Sequence, residues 1–132
     1  MGLPGSGKTY LTERLVPIIG SAWLNADKIR EMANDWDFSE EGRIRQSDRM
    51  KTFADFEKSH GRIVVCDFVC PTMETRQMFG ADFTVWMDTI NEGRYEDTNK
   101  LFEPPVNAEM RITEWNQNNH RDVAEEVLRI RR

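Results

Sequence analysis

The strongest hydrophobic pattern lies in the middle of the chain. "RIVVCDFVC" (62–70) is a nearly continuous apolar run rich in β-branched residues, and such a run predicts a strand buried on both faces. "FTVWMDT" (83–89) predicts a second buried strand, while "SAWLNAD" (21–27) and "MRIT" (110–113) predict two shorter ones. Elsewhere the apolar positions recur at helical spacing. In "KTYLTERLVPII" (8–19) Leu11, Leu15 and Ile18 fall on one face, and in the closing segment 119–132 Val123, Val127 and Ile130 point inward. Short helices are predicted over 27–35 and 73–80, and a long one over 39–61. Ser39 is its N-cap, Glu40 and Glu41 lie in its first turn, and Gly61 marks its end. Strands alternating with helices predict an α/β fold, a parallel sheet with helices on both faces. Residues 91–109 are the least regular and most polar, which suits a mobile flap or short lid. No repeat, low-complexity tract or linker divides the pattern, so residues 1–132 are expected to form a single domain.

The chemistry enters at the first predicted helix. "GLPGSGKT" (2–9) fits G-x-x-x-x-G-K-[ST] in full. Gly2, Gly5 and Gly7 let the backbone curl so that successive N–H groups point inward at a phosphate. Lys8 brings a positive charge to the β- and γ-phosphates, the Thr9 hydroxyl can ligate Mg²⁺, and the following helix adds the positive end of its dipole. The loop predicts ATP binding in a three-layer P-loop NTPase fold, with Gly2, Pro4, Gly5, Ser6, Gly7, Lys8 and Thr9 as the nucleotide contacts. Such a loop is normally delivered by a strand, yet only Met1 stands before it. The expectation is therefore that the first strand is missing, that the start is not the natural one, and that two neighbouring strand edges are exposed.

Two aspartates compete for the metal and acid/base roles. Asp27 ends the strand pattern of "SAWLNAD", where ligand sites of open α/β sheets gather, and it could equally cap the next helix. Asp67 ends "IVVCD", where a carboxylate at a strand end can reach the Mg²⁺ shell or make a structural hydrogen bond.

Composition narrows the class further. The 132 residues suit a small kinase better than a motor or large ATPase. "TNKLF" (98–102) has Asn99-Lys100 but no Asp two residues later, which argues against a guanine-reading switch. A net charge of -5 disfavours nonspecific binding to nucleic acid or an anionic membrane. Cys66 and Cys70, spaced i and i+4 in one predicted strand, point to the same face too far apart to bridge, which predicts buried free thiols in a reducing cytoplasm. No apolar stretch approaches a membrane span. "MGLPGS" matches an N-myristoylation pattern, but the phosphate loop already accounts for its glycines.

From "WLNADKIREMANDWDFSEEGR" onward the chain resembles the adenylylsulfate (APS) kinase family of small P-loop kinases. "NADKIR" (25–30) looks like that family's Asp-Gly-Asp-Asn-x-Arg segment, and "DFSEEGR" (37–43) like its Gly-Phe-Ser-x-x-x-Arg segment. "DFVCP" (67–71) looks like its Ser-Phe-x-Ser-Pro, and "FEPP" (102–105) like its Tyr-Glu-Ala-Pro lid segment. The resemblance runs from residue 2 to about 109. It implies transfer of the ATP γ-phosphoryl group to the 3′-hydroxyl of adenylylsulfate, with Lys8 and Asp27 catalytic. Asp27 would be the general base, sharing Mg²⁺ with Thr9 and Asp67. Arg30 and Arg43 would hold the sulfate–phosphate end of the acceptor, with Gln46 on the same helix face as Arg43. Phe38 and Phe102 would clamp its adenine, and Arg94 and Lys100 would stand for the lid's lysine pair. The chain departs from the family pattern at Asn25, Ala26 and Asp67, where the family has Asp, Gly and Ser, and its lid is shorter. The residues themselves leave the two arginines open to a surface role and Phe38 to a core one. "WLNADKIR" also looks like the Asn-x-Asp-x-x-Arg segment of polynucleotide 5′-hydroxyl kinases, and an ATP-binding protein without efficient transfer is a third alternative. The expected partner is the small-molecule acceptor, with neither membrane nor nucleic acid and with a homodimer left open.

Overall fold

Local capping chemistry decides where the elements begin and end. The computed structural model describes residues 1–131. Its elements run α1 (Lys8–Ile19), β1 (Ala22–Asn25), α2 (Ala26–Ala33), α3 (Glu40–Ser59), β2 (Val64–Asp67), α4 (Met73–Phe79), β3 (Val85–Met87), α5 (Glu96–Leu101), β4 (Met110–Ile112) and α6 (Asn119–Arg131). Helix α1 opens from Gly7 and closes on Gly20 in a left-handed C-cap, whose N–H donates to Val16 O. Helix α2 is capped by Asn25, whose side chain accepts from Lys28 N at 3.1 Å; Asp27 lies inside the first turn rather than at the cap. Ser39 caps α3 as expected, accepting from Gly42 N at 3.2 Å. That helix ends at Ser59, two residues short of Gly61.

All described strand pairs are parallel, but they form two separate two-stranded sheets. β1 pairs with β2, Asn25 lying opposite Asp67, and β3 pairs with β4, Val85 lying opposite Met110. Met1 adds one residue to the second pair. Its N–H₃⁺ donates to Val85 O and Met87 N donates to Met1 O, each at 2.8 Å, on the edge of β3 away from β4. β2 has β1 on one edge and no described strand on the other.

The core gathers Leu11, Leu15 and Ile19 of α1, Met87, Ile112, and Val123 with Ala124 of α6. These α1 residues stand four apart, so the buried stripe passes through Ile19 and turns the predicted Ile18 outward, 47% exposed. Val123 and Val127 face the core as expected, whereas Ile130, 50% exposed, lies beyond the seam.

The long apolar run 62–70 forms only the four residues of β2. The backbone leaves the extended region before Cys70, which adopts φ 47°, and Arg76 fastens this turn by donating to Cys70 O at 2.9 Å and Pro71 O at 3.2 Å. The two cysteines therefore do not share a strand face. Both are free, Cys70 buried and Cys66 half-buried, and burial pushes their thiols up to about 11 and about 12. The expected two-sided burial of the central strands is also incomplete: Val64, Val65 and Val85 are half-buried where β2 and the start of β3 border an open slot, and Trp86 is half-buried as well.

The flap is more ordered in pattern than its composition suggests. It contains α5, with Glu96 and Lys100 paired at 3.4 Å and the Asn99 side chain clasping both N and O of Gly93. Glu103 N donates to Pro71 O at 2.7 Å and ties the end of the flap to the turn after β2.

Candidate active site

The phosphate loop is shaped by close backbone approaches that exclude side chains. At Gly2 a Cβ would lie 2.6 Å from Met87 O, and at Gly7, φ 97°, it would enter the indole ring of Trp115. Ser6 N donates to Leu3 O at 3.0 Å to close the turn, and Thr89 Oγ1 donates to Ser6 O at 2.8 Å, fastening the loop to the end of β3. Ser6 Oγ is fully buried without a hydrogen-bond partner, an orphaned polar atom in the wall of the cradle.

Lys8 Nζ donates to Leu3 O at 3.1 Å, so the ammonium is folded back against its own loop. Burial pushes its pKa down, and the Asp67 and Asp27 carboxylates oppose that by favouring the charged form. Arg94 of the flap adds a smaller effect in the same direction as burial. The buried Asp67 accepts from Thr9 Oγ1 at 3.0 Å and from Asn25 Nδ2 at 2.9 Å, both on its Oδ2. Two strand ends and the first turn of α1 thus meet at one carboxylate.

The Thr9 and Asp67 oxygens fit a hard divalent cation that keeps most of its shell as phosphate and water oxygens, the way Mg²⁺ is usually held. No group of three or more His, Cys, Asp and Glu suited to a metal occurs among the described residues.

Asp27 is exposed in the first turn of α2, beside that cluster. The main chain carrying it is braced by Gln46, which is buried and donates Nε2 to Ala26 O at 2.9 Å while its Oε1 accepts from Arg49 at 2.7 Å. Arg30 is also buried. Its Nη1 donates to Asp35 O at 2.9 Å and Asp37 O at 3.1 Å, and its guanidinium lies 4.3 Å from the centroid of the exposed Phe38 ring. Arg43 is half-exposed and makes no hydrogen bond or ion pair among the described residues. Phe102 stacks on Trp86, centroids 6.5 Å apart, under the Arg76 guanidinium at 5.2 Å, rather than on Phe38. Arg94 and Lys100 are exposed on the flap.

Several neighbours of the loop were not evident in the sequence. Trp115, from the turn after β4, sits on Gly7 and meets Tyr10 edge to face, centroids 4.9 Å apart. No motif or spacing marks it. Thr89 was more accessible to inference, since it is the last residue of a predicted strand, where sites of open sheets gather.

A family model described as adenylylsulphate kinase matches residues 1–97. A probable adenylyl-sulfate kinase of Aeropyrum pernix is 31% identical over 86 residues, 58% of this chain and 45% of that protein, so the match spans under half of the relative's length. The crystal structure of APE1195 superposes with a TM-score of 0.86 at 24% identity, covering 99% of this chain and 93% of that one. The APS kinase CysC of Mycobacterium tuberculosis, solved with AMPPNP and APS, superposes with a TM-score of 0.73 at 21% identity, covering 98% and 93%. The fold is that of P-loop kinases. No helix among the described residues is long and apolar enough to cross a membrane.

Proposed function

Since the chain belongs to the adenylylsulphate kinase family, we propose that it is an ATP-dependent phosphotransferase whose acceptor is the 3′-hydroxyl of adenylylsulfate. The observation that carries this reading is the convergence of Lys8, Thr9, Asn25 and Asp67 at the mouth of a glycine loop, with an exposed carboxylate, Asp27, beside it.

The loop N–H groups and the N-terminus of α1 bind the phosphates, and Lys8 leaves the Leu3 carbonyl to neutralise the β- and γ-oxygens. Thr9 and Asp67 would hold Mg²⁺, which supplies charge neutralisation on the phosphates when bound. Asn25 keeps Asp67 oriented for that task. Asp27 accepts the proton of the attacking hydroxyl, and Gln46 fixes the backbone from which it projects. Arg43 is free to grip the sulfate–phosphate end of the acceptor, while Arg30 orders the 35–38 turn that presents Phe38 to its adenine. Phe102, Arg94 and Lys100 close over the site with the flap, Lys100 first releasing Glu96. Catalysis is then mostly positioning and charge neutralisation.

The test is ADP release from Mg-ATP with adenylylsulfate, with a 5′-hydroxyl oligonucleotide, and with neither. Stimulation by adenylylsulfate alone is expected. In the Asp27→Asn variant turnover should fall by about 10²- to 10⁴-fold, the usual worth of a general base, with ATP affinity preserved. Stimulation by the oligonucleotide alone would move the chain to polynucleotide kinases. ATP binding without stimulation by either would leave a binding protein.

A further inference from the structure

Side chains of α3 join two parts of the candidate site, the main chain at Ala26–Asp27 and the 35–38 turn that presents Phe38. Arg49 stands between them. Its Nη1 donates to Gln46 Oε1 at 2.7 Å and its Nη2 to Asp35 Oδ2 at 2.8 Å. Gln46 passes the contact on, since its Nε2 donates to Ala26 O at 2.9 Å. Gln46 is only 4% exposed, and its amide has an acceptor on the nitrogen and a donor on the oxygen, so a flip would break both bonds. One guanidinium thus reaches the residue before Asp27 through Gln46 and the 35–38 turn through Asp35.

Arg45, four residues earlier on the same helix, supplies the contrast. It donates Nε and Nη2 to the Asp35 carboxylate at 2.7 and 3.0 Å, and Nη2 also donates to Asp37 Oδ2 at 3.1 Å. These bonds steady the turn alone, and Asp35 keeps them when Arg49 is removed. Gln46 Oε1, by contrast, accepts from Arg49 and from no other donor among the described residues.

We propose that Arg49 is a positioning residue: it holds the main chain that carries Asp27 and the turn that carries Phe38 in one fixed relation. The kinetic consequence rests on the phosphotransferase reading of the site, in which an acceptor seated on the turn then meets the carboxylate at a set distance. Arg49 acts on Asp27 only through Gln46 and Ala26. The task needs a planar fork, because its two acceptors engage different nitrogens of the guanidinium. A lysine ammonium placed beside Asp35 would leave Gln46 Oε1 without its donor.

Two substitutions and two readouts test this. Arg49→Met removes both bonds, and Arg49→Lys keeps a cation beside Asp35. The Gln46 Nε2 protons, followed by ¹H–¹⁵N NMR, should exchange at least about tenfold faster in Arg49→Met than in wild type, with Arg49→Lys between them. In turnover stimulated by adenylylsulfate, Arg49→Met should lower kcat by about 10- to 100-fold, the scale of a misplacement near 1 Å. In an Asp27→Asn background the same substitution should change kcat by less than about twofold, because the group it positions is gone. Arg45→Met should act mainly on the KM for the acceptor. If Arg49→Met does not fold, Arg49→Lys carries both readouts. An equal fall of kcat in the Asp27 and Asp27→Asn backgrounds would make Arg49 a general prop of the fold and overturn the proposal. So would a matching loss of kcat in Arg45→Met, or Gln46 protons that exchange no faster without Arg49. Absence of stimulated turnover in wild type would sink the phosphotransferase reading instead, and the Gln46 protons, which need no turnover, would still decide whether Arg49 holds the Ala26 main chain.

Discussion

Replacing Gly7 by alanine tests whether Trp115 truly rests on the phosphate loop. The new Cβ would stand 1.6 Å from Trp115 Cζ2 and 2.1 Å from Cη2, so the indole has to leave. Trp115 is 43% exposed, so it can swing outward without moving the main chain. The cost then has two parts. A side chain at φ 97° costs about 1–2 kcal/mol whatever surrounds it. Loss of the edge-to-face contact with Tyr10 adds about 0.5–1.5 kcal/mol. Gly7→Ala should therefore lose roughly 1.5–3.5 kcal/mol of unfolding free energy in wild type. In a Trp115→Ala background only the backbone part remains. Urea unfolding of the four proteins closes the cycle, with an expected coupling of about 0.5–1.5 kcal/mol. If Gly7→Ala costs the same in both backgrounds within about 0.3–0.5 kcal/mol, the usual limit of additivity, the indole is not on the loop and the reasoning fails.

Two further outcomes follow from the polar geometry. Arg30→Lys keeps the charge but loses the planar donor that serves the Asp35 and Asp37 carbonyls, and should cost roughly 2–3 kcal/mol of stability; a raised KM for the acceptor with unchanged urea midpoint would instead make Arg30 a direct ligand. Burial lowers the Met1 amine from 8.0 to about 5, so the unfolded chain binds a proton that the folded one refuses, and stability should rise between about pH 5 and pH 8. At 1.36 kcal/mol per unit the rise is roughly 4 kcal/mol, and urea melts across that window should show it in the free chain and not in the Nα-acetylated one. The Asp35 carboxyl, held well below the usual range by hydrogen bonds from Arg45 and Arg49, contributes above about pH 4 and is lost only on further acidification, outside that window.

Legibility in the sequence tracked how local each determinant is. The phosphate loop and its helix are contiguous, so Gly2–Thr9 carried both the geometry and the chemistry of the cradle. Ser39 as a cap was equally readable, because its partner Gly42 N lies three residues away. Asp67 and Asn25 lie 42 residues apart, and only strand pairing could reveal that both strand ends share one hydrogen bond. Arg30 looked like a free cation because nothing in its neighbourhood announces that two carbonyls of the next turn fold onto it. Trp115 needed the whole path from β4 back to the loop.

Burial departs from the sequence pattern at the two central strands. The β-branched runs at 62–70 and 83–89 read as strands enclosed on every side, yet Val64, Val65, Val85 and Trp86 are only half-buried. Apolar density of that kind costs a soluble chain solubility and invites edge pairing unless something covers it. Val64, Val65 and Val85 all line one cavity between β2 and β3, so the shortfall from the predicted burial is a local feature of that cavity rather than a failure of the pattern along the whole strand.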